Sequence, residues 1–295
     1  MRKKKSIEEA YLTPRGTVPS VPESKREAMP SEISPMLATL IQKPFSDPEW
    51  IYEIKLDGVR AVCFLKDGKM RLVSRNGKEM SFRYPELAAL PKMIGRKRVI
   101  LDGEIVALDA TGKSSFQRLQ SRIGLMKAGD IAKLSAQFPV VYYVFDLLYY
   151  DHFNLMPAML IHRKALLQEI LIESDVVRFS QHQIEKGEEL FQKARKKKLE
   201  GIIAKKQSSL YVQKRSRDWL KIKSVLQQEV VIAGYTRPRG SRSRFGALIV
   251  GLYREGQLVY VGHVGGGFNA DSLEQVRHTA ENQRSGTMDS SRACV

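Results

Sequence analysis

No apolar periodicity runs through residues 1–33, which hold four of the twelve prolines and many charges. That stretch is expected to be a flexible basic arm. Apolar positions begin to recur at Ile33-Ser34-Pro35-Met36-Leu37-Ala38, and ordered structure is expected from there. Residues 59–65 and 70–74 read as strands flanking Lys66-Asp67-Gly68-Lys69, a hairpin signal. Residues 98–108 read as a further strand, and the apolar, aromatic run 140–146 suits a central one. Phe116, Leu119, Ile123 and Met126 have helical spacing, which predicts a helix over 116–126. Residues 161–172 and 185–198 are amphipathic and predict outer helices, while 202–205 and 220–224 return to strands. Hairpins interspersed with helices indicate an α+β domain of antiparallel sheets over residues 34–226.

From residue 227 the pattern changes. Segments 229–235, 247–254 and 257–264 alternate apolar with small or polar residues between glycine-rich turns, which suggests a small all-β barrel over 227–278. A helix could start at 273–278, and residues 279–295 lack periodicity and read as an irregular tail. A five-stranded barrel is expected to be incomplete here, since only three strands are counted.

Composition narrows the class. The chain has 295 residues, 43% of them hydrophobic and 27% charged, with no apolar run long enough to span a membrane. A cytoplasmic monomer with no membrane partner is the default expectation. Two cysteines, Cys63 and Cys294, make neither a disulfide framework nor a zinc site. The net charge of +17 points to a polyanionic partner, because each lysine or arginine that neutralises a phosphate releases counterions. The runs Arg195-Lys196-Lys197-Lys198 and 237–244 add to that charge, although a lysine run on a helix is commonly a solvated face.

Chemistry enters at Lys55-Leu56-Asp57-Gly58-Val59-Arg60, directly after the apolar stretch 50–54. A lysine fixed at a strand end, with a tight Asp-Gly turn behind it, suits nucleophilic attack on phosphorus. Its amine must first be made less basic, by burial or by cations such as Arg60, Lys221 and Lys223. Alone, the hexapeptide also fits an ordinary solvated hairpin. It is followed in order by Ser74-Arg75-Asn76-Gly77, Leu101-Asp102-Gly103-Glu104, Tyr143-Val144-Phe145-Asp146, Glu200-Gly201-Ile202-Ile203-Ala204-Lys205 and Trp219-Leu220-Lys221-Ile222-Lys223. This ordered series resembles that of the covalent nucleotidyltransferases, and above all the ATP-dependent DNA ligases of bacterial non-homologous end joining. The segments Ser114-Ser115-Phe116-Gln117-Arg118-Leu119-Gln120-Ser121-Arg122 and Phe245-Gly246-Ala247-Leu248 look like that group too.

The resemblance implies a nucleotidyltransferase (adenylation) domain followed by an OB-fold, with ATP and Mg2+ (or Mn2+) as cofactors and nicked duplex DNA as substrate. End-joining or repair proteins are the implied partners. It implies Lys55 as the nucleophile that takes up AMP, Glu53 near the adenine, Arg60 near the sugar and Arg75 near the nick phosphate. Phe145 would lie against the base, and Lys221 and Lys223 would reach the α-phosphate together. Glu104 would bind ribose or metal, and Glu200 the metal. Glu200 could instead form a salt bridge to a lysine such as Lys205, and Trp219 is expected to serve packing. The family's last basic motif, which orients pyrophosphate, has no candidate. Two alternatives therefore stay open: an RNA ligase or capping-type nucleotidyltransferase, and a truncated DNA-binding form impaired in self-adenylation.

Overall fold

A computed structural model describes residues 21–94, 98–224, 230–237 and 246–266. The chain divides into two units, Met1–Val225 and Leu226–Val295. In the first, strands are β1 (Lys25–Arg26), β2 (Leu37–Ile41), β3 (Trp50–Ile54), β4 (Val59–Lys66), β5 (Lys69–Ser74), β6 (Arg98–Ala107), β7 (Val140–Tyr150), β8 (Phe153–Asn154), β9 (Val177–Phe179), β10 (His182–Ile184), β11 (Gly201–Lys206) and β12 (Arg215–Lys223). Helices are α1 (Leu90–Ile94), α2 (Phe116–Gln120), α3 (Ala128–Gln137), α4 (Leu160–Ile170) and α5 (Gly187–Lys196). One sheet runs β1-β8-β7-β6-β4-β5 with β9 on β7, and a second runs β10-β3-β11-β12-β2. Two joins depart from the expected antiparallel pattern: β9 lies parallel to β7, and β2 parallel to β12. Each closes a long crossover, which parallel pairing requires.

Period-two alternation sorts the side chains into layers. Along β4, Ala61, Cys63 and Leu65 enter one core with Leu101, Tyr142 and Val144. The intervening Val62 and Phe64 face the second sheet, packing with Ile51, Ile100, Phe145 and Trp219. On the far side of that second sheet, Tyr52, Ile202, Ala204 and Ile222 pack with Leu190 and Ala194 of α5. Polar residues that share the inter-sheet parity (Glu53, Arg60, Asp102, Glu104, Lys205, Lys221) are therefore carried into one cleft.

Three expectations need correction. Residues 21–33 belong to the fold rather than to a flexible arm. Val21 and Ile33 are buried, β1 pairs with β8, and the Tyr149 hydroxyl donates to the Glu27 carbonyl at 2.9 Å. The helix predicted over 116–126 stops at Gln120. Gly124 turns the chain at φ +83, and Arg122 is buried with its guanidinium on Glu86 and the Arg83 carbonyl. Gly58 is needed for close approach rather than for a tight turn: a methyl group there would collide with the Ile105 carbonyl of β6.

The Arg195–Lys198 run ends α5, where cations complement the helix dipole, with Glu188 and Glu189 in the first turn. That role needs no DNA. Among the described residues, no helix is long and apolar enough to cross a membrane.

In the second unit, β13 (Val231–Tyr235), β14 (Leu248–Arg254) and β15 (Gln257–Val264) form an antiparallel sheet in that order. Glu255 and Gly256 both take positive φ, the geometry of a two-residue hairpin turn. The expected helix at 273–278, the tail 279–295, Cys294 and most of the basic run 237–244 lie outside the described residues.

Candidate active site

Lys55 follows the last residue of β3, and its backbone N–H donates to the Gly201 carbonyl at 2.9 Å, which ties it to the start of β11. Its ammonium donates to Glu200 Oε2 at 2.5 Å, with the two side chains 21% and 23% exposed. Lys223 Nζ stands 3.4 Å from the other Glu200 oxygen. Glu200 thus bridges Lys55 and Lys223 and does not pair with Lys205. The partner nearest Lys55 is a carboxylate, where sequence reasoning expected cations.

A cavity of about 470 Å³ opens beside Lys55. Glu53, Lys55, Arg60, Arg75, Glu104, Phe145 and Lys221 all line it, so seven of the predicted positions converge on one space. Glu200 and Lys223 stand beside Lys55 through their ion pairs. Burial lowers the Lys221 pKa, and the positive charges of Arg215, Lys223 and Lys55 push it the same way. Arg75 is exposed, on the turn after β5. Trp219 packs as expected, in the core and edge to face on Phe145 at 6.0 Å, and it also lines the cavity.

The Arg60 fork is already engaged. Nε and Nη2 donate to Asp102 Oδ1 and Oδ2 at 2.9 and 2.6 Å, and the guanidinium lies 4.9 Å from the Phe145 ring centroid. Asp102, fully buried, also accepts from the Tyr211 hydroxyl at 2.6 Å, and Tyr211 in turn accepts from the Met36 N–H at 3.1 Å. Burial opposes the Arg60 charge, but Asp102 outweighs it and raises the Arg60 pKa. A bidentate pair of this kind fixes the guanidinium plane.

Glu53, 2% exposed, is held between two lysines. Lys164 of α4 donates to Oε1 at 2.7 Å and Lys205 to Oε2 at 2.8 Å. Burial alone would raise its pKa, but Lys164 and Lys205 outweigh burial and hold it at about 2. Lys205 is fully enclosed, with Nζ 4.1 and 4.4 Å from the Phe145 and Trp219 ring centroids. Burial, helped by Lys164 and opposed by Glu53, brings its pKa down to about 8.

Glu104 differs from these. Its carboxylate makes no ion pair or hydrogen bond among the described residues, and burial pushes its pKa up to about 7 against the pull of Arg60 and Lys55. A half-buried carboxylate without a protein partner suits a cation. No cluster of three or more His, Cys, Asp or Glu side chains forms a ready-made metal cage among the described residues.

Sequence reasoning assigned no role to Asp102, Lys164 or Tyr211, and named Lys205 only as an alternative ion-pair partner of Glu200. Asp102 and Lys205 lay inside recognised motifs, as charged residues in apolar strands, and that was their available signal. Lys164 and Tyr211 carried none.

A model of the ATP dependent DNA ligase domain matches residues 35–223, and one of the ATP dependent DNA ligase C terminal region matches residues 241–293. The chain belongs to the ATP-dependent DNA ligase family. The family is one of enzymes, and its α+β nucleotidyltransferase fold with a small C-terminal β unit is the architecture described above. The multifunctional non-homologous end joining protein LigD of Pseudomonas aeruginosa is 41% identical over 258 residues, which cover 86% of this chain and 30% of that protein. The chain therefore spans under a third of that relative. The SPbeta prophage-derived DNA ligase-like protein LigB of Bacillus subtilis is 34% identical over 206 residues, covering 70% of this chain and 72% of the relative. A mycobacterial DNA ligase D complexed with ATP and MES superposes with a TM-score of 0.59 at 30% identity, over 85% of this chain and 78% of that one. The matched family is ATP dependent.

Proposed function

We propose that this ligase seals nicks in duplex DNA through a lysyl-AMP intermediate on Lys55. The observation that carries the reading is the placement of the Lys55 ammonium at the edge of a cavity walled by Arg60, Lys221 and Lys205, which suits an incoming triphosphate. Phe145 and Trp219 supply aromatic walls for a base. The Lys55 amine forms a bond to the α-phosphorus, and the bond from that phosphorus to the pyrophosphate oxygen breaks. AMP then passes to the 5′-phosphate of the nick, which frees Lys55. The 3′-hydroxyl attacks that phosphate and releases AMP. Each step is an in-line displacement at phosphorus, where positioning and charge neutralisation dominate.

The residue roles are those the resemblance implies, and position is compatible with them. Arg60, held by Asp102, faces the nucleotide sugar, and Arg75 at the exposed rim suits the nick phosphate. Lys221 faces the α-phosphate, and Lys223 stays close through Glu200. Glu104 and Glu200 would hold magnesium or manganese with phosphate oxygens and waters, since hard carboxylate donors suit those ions. An ion there would neutralise phosphate charge and compete with Lys55 for Glu200. The partners proposed are nicked duplex DNA and end-joining proteins, in the cytoplasm.

The test is sealing of a singly nicked DNA duplex with ATP and magnesium, beside nicked duplex RNA and single-stranded RNA. Product from the DNA alone supports the reading, and product confined to RNA overturns it. A pH dependence accompanies it. Protonation of Glu104 below pH 7 removes its donor oxygen, so adenylation of Lys55 at limiting magnesium should fall by roughly tenfold per pH unit there. Saturating magnesium should move the midpoint to lower pH, since cation and proton compete for one carboxylate. Stopped-time assays at two magnesium concentrations between pH 5.5 and pH 8 would check this.

A further inference from the structure

Lys164 is a buried charge that the chemistry above does not use. It sits on α4, 1% exposed, and is not among the residues lining the cavity. Its three N–H groups meet three acceptors: Glu53 Oε1 at 2.7 Å, the Ser180 carbonyl at 3.1 Å and the Phe145 carbonyl at 3.3 Å. All three acceptors belong to residues that line the cavity. An ammonium buried this deeply is costly unless every donor is satisfied, so a purely space-filling role would be served better by an apolar side chain.

The consequence falls on Glu53. Lys164 takes one carboxylate oxygen, while Lys205 at 2.8 Å and the Ser180 hydroxyl at 3.3 Å take the other. Across the strand pair, His182 stands opposite Glu53 in register, and burial together with Lys164 holds its imidazole down at about 4, hence neutral near pH 7. Asp146, the remaining charged group felt by Lys205, is occupied by Arg163. Glu53 is thus an ionised group that only accepts, fixed beside Lys205, which only donates. Both line the cavity.

Such a wall distinguishes purines. Adenine presents a donating amino group beside an accepting ring nitrogen. Guanine presents an accepting carbonyl beside a donating N–H, the reverse order. We infer that Lys164 is the positioning residue for base selection: without touching the nucleotide, it fixes the Glu53 carboxylate so that the acceptor–donor pair of Glu53 and Lys205 takes adenine and turns away guanine. This rests on the proposal that the cavity holds ATP.

The test compares ATP and GTP on the full chain, by dissociation constant and by the rate of nucleotide attachment. Lys164→Met should raise the KM and Kd for ATP about tenfold and lower the ATP/GTP preference on the order of tenfold, with kcat within about threefold. Lys164→Arg, which keeps the charge, should restore most of the preference. If Lys164→Met does not fold, as judged by its melting transition, Lys164→Gln carries the same expectation. ATP and GTP weakened equally, or a loss confined to kcat, would overturn the inference. Wild-type protein that binds no ATP at all would sink the ligase reading itself, a separate and recognisable outcome.

Discussion

Lys55→Ala is expected to lower ATP-dependent sealing of a nick by about 10⁴-fold or more, since removing a covalent nucleophile leaves only binding and charge stabilisation. The side chain is held at the end of β3, by the backbone bond to Gly201 and the ion pair with Glu200. Among the described residues Lys205 and Lys221 also line the cavity, but neither stands at the end of β3. Lys221 projects from β12, and Lys205 is enclosed against two aromatic rings. Lys55→Arg should fail as completely, because guanidinium keeps the charge but cannot shed its proton to attack. Both variants should still join a nick that carries AMP on its 5′-phosphate, within about tenfold of wild type, because positioning at the nick outlasts the loss of the nucleophile. Loss of joining on that substrate, with DNA binding intact, would assign Lys55 a role beyond nucleotide capture.

Asp102→Ala should be strongly damaging although Asp102 does not itself line the cavity. It strips a fully buried carboxylate from Arg60 and leaves the Tyr211 hydroxyl without its acceptor. Breaking a buried pair by removing one partner costs about 3–5 kcal/mol, and the 16% exposure of Arg60 puts this case at about 3. The freed guanidinium would also lose its plane, so adenylation should fall on the order of 10²-fold. The double variant Arg60→Met with Asp102→Leu should recover about 1–3 kcal/mol relative to the sum of the singles, since no charge then remains buried and unpaired. Urea midpoints for wild type, Arg60→Met, Asp102→Leu and the double variant measure this. Additive losses would show that the two residues act independently.

Much of the site was legible because its motifs sit on strands, where alternation decides which side chains share a face. Glu53 on β3 with Lys55 just past its end, Asp102 with Glu104 on β6, and Trp219 with Lys221 on β12 each step by two, and the fold brings those faces together. Partner choice was less legible. Glu200 takes Lys55 and Lys223, and Lys205 takes Glu53, pairings set by how β3, β11 and β12 sit side by side. Lys164 and Tyr211 were invisible for the same reason: a helix and a loop deliver them from 111 and 109 residues away in sequence. At the ends of elements, long-range contacts override local pattern. The segment 21–33 has no periodicity yet docks through β8 and Tyr149, and the apolar spacing of 116–126 yields to the burial of Arg122.

The most direct measurement is the intact mass of the purified chain before and after ATP and magnesium, with Lys55→Ala alongside. The account predicts a gain of one AMP in wild type, reversed by added pyrophosphate and absent in the variant. A wild-type chain that binds ATP yet gains no mass, or a variant that gains the same mass, would contradict the assignment of Lys55 as the residue that carries AMP.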